Sequence, residues 1–122
     1  MTSNKKYIEE AKKYFQIAVD EIQKSKQNGD IQYAVNGCEK GWLAFNIALD
    51  GYFVKNGIIV KGIPKTHKGK KLLLKKLGDN DIRNLYFKAM TILHIFGFYD
   101  RNPEFDEVDE TLNDIKKLID KL

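Results

Sequence analysis

Apolar residues recur every three or four positions along nearly the whole chain, the period of a helix with one buried face. Tyr7, Ile8, Ala11, Tyr14, Phe15, Ala18, Val19 and Ile22 form the first stripe, with lysines and glutamates opposite and Gly29 as its stop. Asp30 is placed to cap a second long helix, whose stripe is Ile31, Ala34, Val35, Cys38, Trp42, Phe45, Ala48, Leu49, Tyr52 and Phe53. Gly37 and Gly41 lie inside that stripe, each at a cost of roughly 1 kcal/mol in a helix interior. Such a pair marks a close helix–helix approach. Glu39 and Lys40 between them exclude a membrane version of the motif.

The pattern breaks from Asn56 to Lys65, where Asn-Gly and Lys61-Gly62-Ile63-Pro64 make a connector. Its Ile58-Ile59-Val60 centre is expected to tuck against the bundle as a loop, or to form a short strand. Thr66 caps a short helix from Lys68 to Leu77, with Leu72, Leu73 and Leu77 inward and Gly78 as terminator. Asp79 or Asn80 caps a fourth helix that buries Ile82, Leu85, Tyr86, Ala89, Leu93 and Phe96 and closes at Gly97. The last helix starts with Asn102 as N-cap and Pro103 in its first turn. Phe105, Val108, Leu112, Ile115, Ile119 and Leu122 then make a seam for packing within the bundle or across a dimer. The expected fold is all-α, an up-and-down bundle of four to five helices, two long N-terminal ones and three shorter, in one domain over residues 1–122.

Charge refines this picture. Residues 51–78 hold eight lysines, one histidine and no acidic residue, whereas residues 100–122 hold eight acidic and four basic ones. A chain polarised in this way attracts anions to one region and repels them from another. Almost all of the basic residues are lysines, point charges suited to phosphate rather than to base-edge readout. The acid-free run makes Lys65, His67, Lys68, Lys71 and Lys75 candidate anion- or nucleic-acid-binding residues; the plainer alternative is a solvated helix face. His94, Tyr99, Asp100 and Arg101 form a second candidate polar cluster, which could equally be a turn anchoring the final helix.

Other chemistry is sparse. Two histidines and one cysteine, at no metal-ligand spacing, argue against a zinc site, and no phosphate-binding glycine loop is present. Cys38, on an apolar stripe, reads as a small core residue, and as the only cysteine it permits no intrachain disulfide. No apolar run approaches the roughly 20 residues of a membrane span. Charged residues occupy the place of a signal peptide's apolar stretch. The expectation is a cytoplasmic protein with no cofactor, no metal, no membrane and no assigned catalytic residue.

The run Asn46-Ile47-Ala48-Leu49-Asp50-Gly51-Tyr52-Phe53, followed by Lys65-Thr66-His67-Lys68, resembles the HEPN superfamily of helical domains. Leu93-His94-Ile95-Phe96-Gly97-Phe98-Tyr99-Asp100 is similar to an uncharacterised prokaryotic branch of that group. The resemblance spans Tyr7 to the end. It implies a four- to five-helix bundle, commonly a homodimer, in a group that includes nucleotide-binding domains, ribonucleases and partners of nucleotidyltransferases in toxin–antitoxin pairs. The ribonuclease members carry an Arg followed, after four to six residues, by His. Here ten residues separate Arg83 from His94, which on one helix is about 16 Å, so the nuclease role is not carried over. The expected function is a non-catalytic homodimer binding RNA or a nucleotide through the lysine-rich loop and short helix. The alternatives are a protein-interaction module with a protein partner, and a divergent RNA-processing enzyme built on the second cluster.

Overall fold

The computed structural model describes residues 3–122. Helix α1 spans Lys5–Asn28 and α2 spans Ile31–Lys55. Gly29, at φ 74°, ends α1 by donating its N–H to the Ser25 carbonyl at 2.9 Å, a left-handed turn that suits glycine. Asp30 then accepts from the Gln32 amide and caps α2. The two-residue link folds α1 and α2 into a hairpin. A single 3-10 turn, Val60–Gly62, interrupts the connector to α3, His67–Leu77. Helix α4, Asn80–Ala89, continues without a break as a π-helix over Met90–Tyr99, and α5 spans Phe105–Lys121. This is an all-α bundle of five helices, the first two the longest. None of the helices among the described residues is long and apolar enough to cross a membrane.

Helix α2 is the central post. Trp42, Phe45, Leu49 and Phe53 are buried in a core that also takes Ala18 and Ile22 from α1, Leu74 from α3, Tyr86 and Leu93 from the fourth helix, and Val108, Leu112 and Ile115 from α5. Close approach requires small residues on the post. A β-carbon on Gly41 would lie 2.8 Å from Leu112 Cδ2, and one on Gly37 would lie 2.9 Å from Ile22 Cδ1. The α5 seam is buried by α5's own chain, so its place is within the bundle.

Several sequence expectations need correction. The fourth helix runs past Gly97 to Tyr99, because Gly97 lies against Cys38 instead of terminating the helix. The positive φ at its end falls on Arg101, at 55°. In a π-helix the wider turn brings residue i+4, not i+3, back under residue i. Leu93 and Gly97 are therefore buried, while Phe96 turns outward at 45% exposure. Asn102 does not cap α5. Its amide bonds the Phe96 carbonyl at 2.9 Å to close the preceding helix, and α5 starts at Phe105. In α3 Leu72 is exposed and Leu74 is the buried leucine. Ile59 and Val60 are exposed, leaving Ile58 and Ile63 to pack on the core, and Val19 lies at the edge of the α1 stripe.

Candidate functional site

A cleft of about 290 Å³ opens between α2 and the start of α3, lined by Glu39, Trp42, Leu43, Asn46, Lys65, His67, Lys70 and Tyr86. Four of these residues share one face of α2: Glu39, Trp42, Leu43 and Asn46 follow the i, i+3, i+4, i+7 rule. Thr66 sets the opposite wall. Its side chain accepts from the Gly69 amide at 3.0 Å, and that cap fixes where His67 and Lys70 enter α3.

The anchor is Tyr86, whose side chain is fully buried. Its ring packs edge-on against Trp42 and Phe45, at centroid distances of 5.7 and 5.6 Å. Its hydroxyl is hydrogen-bonded to His67 Nδ1, which leaves the outer ring nitrogen of this otherwise exposed residue unshared. Burial, and then the charge of Asp50, push the Tyr86 phenol up to about 12, so it stays protonated. His67 is shifted down by burial of its inner ring edge, then by repulsion from His94, Lys71 and Lys70. Both effects disfavour its charged form.

Lys70 occupies the half-buried end of the α3 apolar face, at i to the i+3, i+4 and i+7 of Leu73, Leu74 and Leu77. Its ammonium donates to Asn46 Oδ1 at 3.2 Å and lies 3.7 Å from Asp50 Oδ1. Asn46 donates in turn to the Trp42 carbonyl at 2.9 Å. Burial raises the Asp50 pKa more than the neighbouring ammonium lowers it. At the other end His94 Nδ1 lies 3.3 Å from Glu39 Oε2. The His94 ring stacks on Trp42 at 5.2 Å and on Phe98 at 6.2 Å, so the π-helix supports the back of the cleft.

The residues singled out by sequence are divided by this geometry. Lys65 and His67 line the cleft. His67 also borders a separate groove of about 420 Å³ with Lys68, Lys71, Leu72, Lys75 and Arg83. Lys71 there lies 4.2 Å over the Phe87 ring. The second cluster is not brought together. His94 faces Glu39, Tyr99 is 76% exposed, and Arg101 donates to Gln32. Asp100 borders a different hollow with Ile92, Phe96, Pro103 and Glu107. Sequence reasoning missed Glu39, Trp42, Asn46, Lys70 and Tyr86. The shared face of α2 was the signal for the first three, and the leucine register of α3 was the signal for Lys70. Among the described residues, no group of three or more His, Cys, Asp or Glu side chains is placed to hold a metal.

Fold and cleft together define a small all-α protein with a polar cleft on its central helix. The chain belongs to the archaeal PaREP1/PaREP8 family, whose sequence profile matches residues 6–119. No curated protein and no solved structure matches it. The family match overturns the HEPN resemblance, and the dimeric RNA- or nucleotide-binding function and the toxin–antitoxin association read from it fall with it. The physical reason lies in the motifs themselves. Ala48, Leu49, Phe53, Leu93 and Gly97, within the runs that carry the resemblance, are buried packing residues that any tightly packed helical bundle can carry.

Proposed function

We propose that this protein binds a small polar molecule in the cleft between α2 and α3. The observation that carries this reading is convergence: three elements direct Glu39, Asn46, Lys65, His67 and Lys70 into one concavity whose floor is the buried Trp42–Tyr86 pair. Concave sites with an aromatic floor and a few placed polar groups are the general form of small-ligand sites. Glu39, Asn46, His67 and Lys70 are held by His94, the Trp42 carbonyl, Tyr86 and Asp50 respectively, which limits the ordering cost of binding. The family membership assigns no ligand to the chain.

The test is equilibrium dialysis of the purified protein against a soluble metabolite extract, with retained compounds identified by mass spectrometry. The wild type is expected to retain a small polar compound, and Asn46→Phe, which fills the cleft, is expected to lose it at unchanged helicity. Nothing retained, or retention indifferent to Asn46→Phe, contradicts the reading.

A further inference from the structure

The charges of the cleft are separated along its length. Glu39 and Asn46 are seven residues apart on α2, a rise of about 10 Å along the helix axis. Glu39 forms the negative pole, its carboxylate steadied by His94 at 3.3 Å. The positive pole lies at the Asn46 end, where the Lys70 ammonium is 3.2 Å from Asn46 Oδ1. Lys70 is offset there by Asp50 at 3.7 Å, and Lys65, which also lines the cleft and has no ion-pair partner among the described residues, adds a further positive charge. Trp42 and Leu43 lie between the poles and offer apolar surface to the middle of a ligand.

We propose that the cleft takes an extended zwitterion, its ammonium against Glu39, its carboxylate against Lys65 and Lys70, and its apolar middle along Trp42 and Leu43. This rests on the cleft being the binding site. A ligand with a single charge leaves one pole unmatched, and a compact zwitterion spans too short a distance to meet both.

Trp42 is the only tryptophan of the chain, so its fluorescence reports the cleft directly. The probes are 6-aminohexanoate and 7-aminoheptanoate, with hexanoate and hexylammonium as single-charge controls. Both zwitterions are expected to change the emission saturably, with a Kd at least tenfold below either control. Glu39→Gln should reduce the affinity for 6-aminohexanoate to that for hexanoate. Lys65→Gln should weaken it severalfold, and this exposed position carries no folding risk of the kind Lys70 substitutions bring through Asp50. Equal binding of hexanoate, no binding of either zwitterion, or indifference to Glu39→Gln would overturn the proposal. A metabolite retained in the dialysis experiment while both zwitterions fail would leave the cleft as a binding site and discard only this ligand class.

Discussion

Gly97 lies so close to α2 that a β-carbon on it would sit 2.5 Å from Cys38 Sγ and 2.7 Å from Cys38 Cβ. Neither atom can retreat into a fully buried environment without moving its helix. Gly97→Ala is therefore expected to cost about 1–3 kcal/mol of stability in chemical denaturation, despite alanine's better helix propensity. An unchanged or higher midpoint would contradict this packing. Cys38 itself is inert in this setting. Burial, and then the Glu39 charge, push its thiol up to about 12, and the thiolate is the form that reacts. Iodoacetamide at pH 8 should leave it unmodified in the native state and label it in denaturant. Its apolar position made the burial of Cys38 legible in the sequence. The role of Gly97 was not, because a glycine after a helical stripe looks the same whether it ends the helix or lets a neighbour in.

Among the elements, α3 shows how a charged residue can hide a helical face. Lys70, Leu73, Leu74 and Leu77 share one side of α3, yet hydrophobicity alone selects the leucines and leaves out the lysine that sets the register. Leu74→Ala should cost about 2–5 kcal/mol. Leu72→Ala, at a site 52% exposed, should fall within about 0.5 kcal/mol of wild type. Comparable losses at the two sites would show that the register is wrong. The same element carries a pH dependence. The pKa of His67 is lowered below its ordinary 6.5, so the unfolded chain binds the extra proton first. The stability that neutral His67 contributes is complete above about 6.5 and is lost as pH falls through the lower, folded-state pKa. The melting temperature should decline on acidification from pH 7 toward 5.5, and His67→Gln should flatten that slope. An equal slope in the variant would place the titrating group elsewhere. The α1, α2 and α3 caps were legible because glycine and Asp or Thr act through local geometry. The π-helix was not, since its apolar residues fit a 3.6-residue period well enough to predict an ordinary helix.

Over the whole molecule, the charge asymmetry of the sequence is only partly a surface feature. The acidic face of α5 is met by lysines from other helices. Lys88 contacts Glu110 at 2.8 Å and Asp114 at 2.9 Å, and Lys26 contacts Asp109 at 2.5 Å. These pairs are partly solvent-exposed, so Lys88→Met should cost no more than about 1 kcal/mol. The lysines of the middle segment disperse over a cleft, a groove and an exposed connector, which no count along the chain could foretell. The fold class followed from periodicity. The cleft did not, because it joins one face of α2 to residues 65–70 and to Tyr86, and such a juxtaposition exists only once the bundle has closed.

The central claim is that this juxtaposition binds an extended zwitterion. Its most direct test is a two-dimensional amide NMR titration of the isotopically labelled protein with 6-aminohexanoate. The account predicts saturable shifts confined to residues 39–46, 65–70 and the surroundings of Tyr86, and absent in Asn46→Phe. Shifts centred on α5 or on the Lys68–Lys75 groove, or no saturable shifts at all, would contradict it.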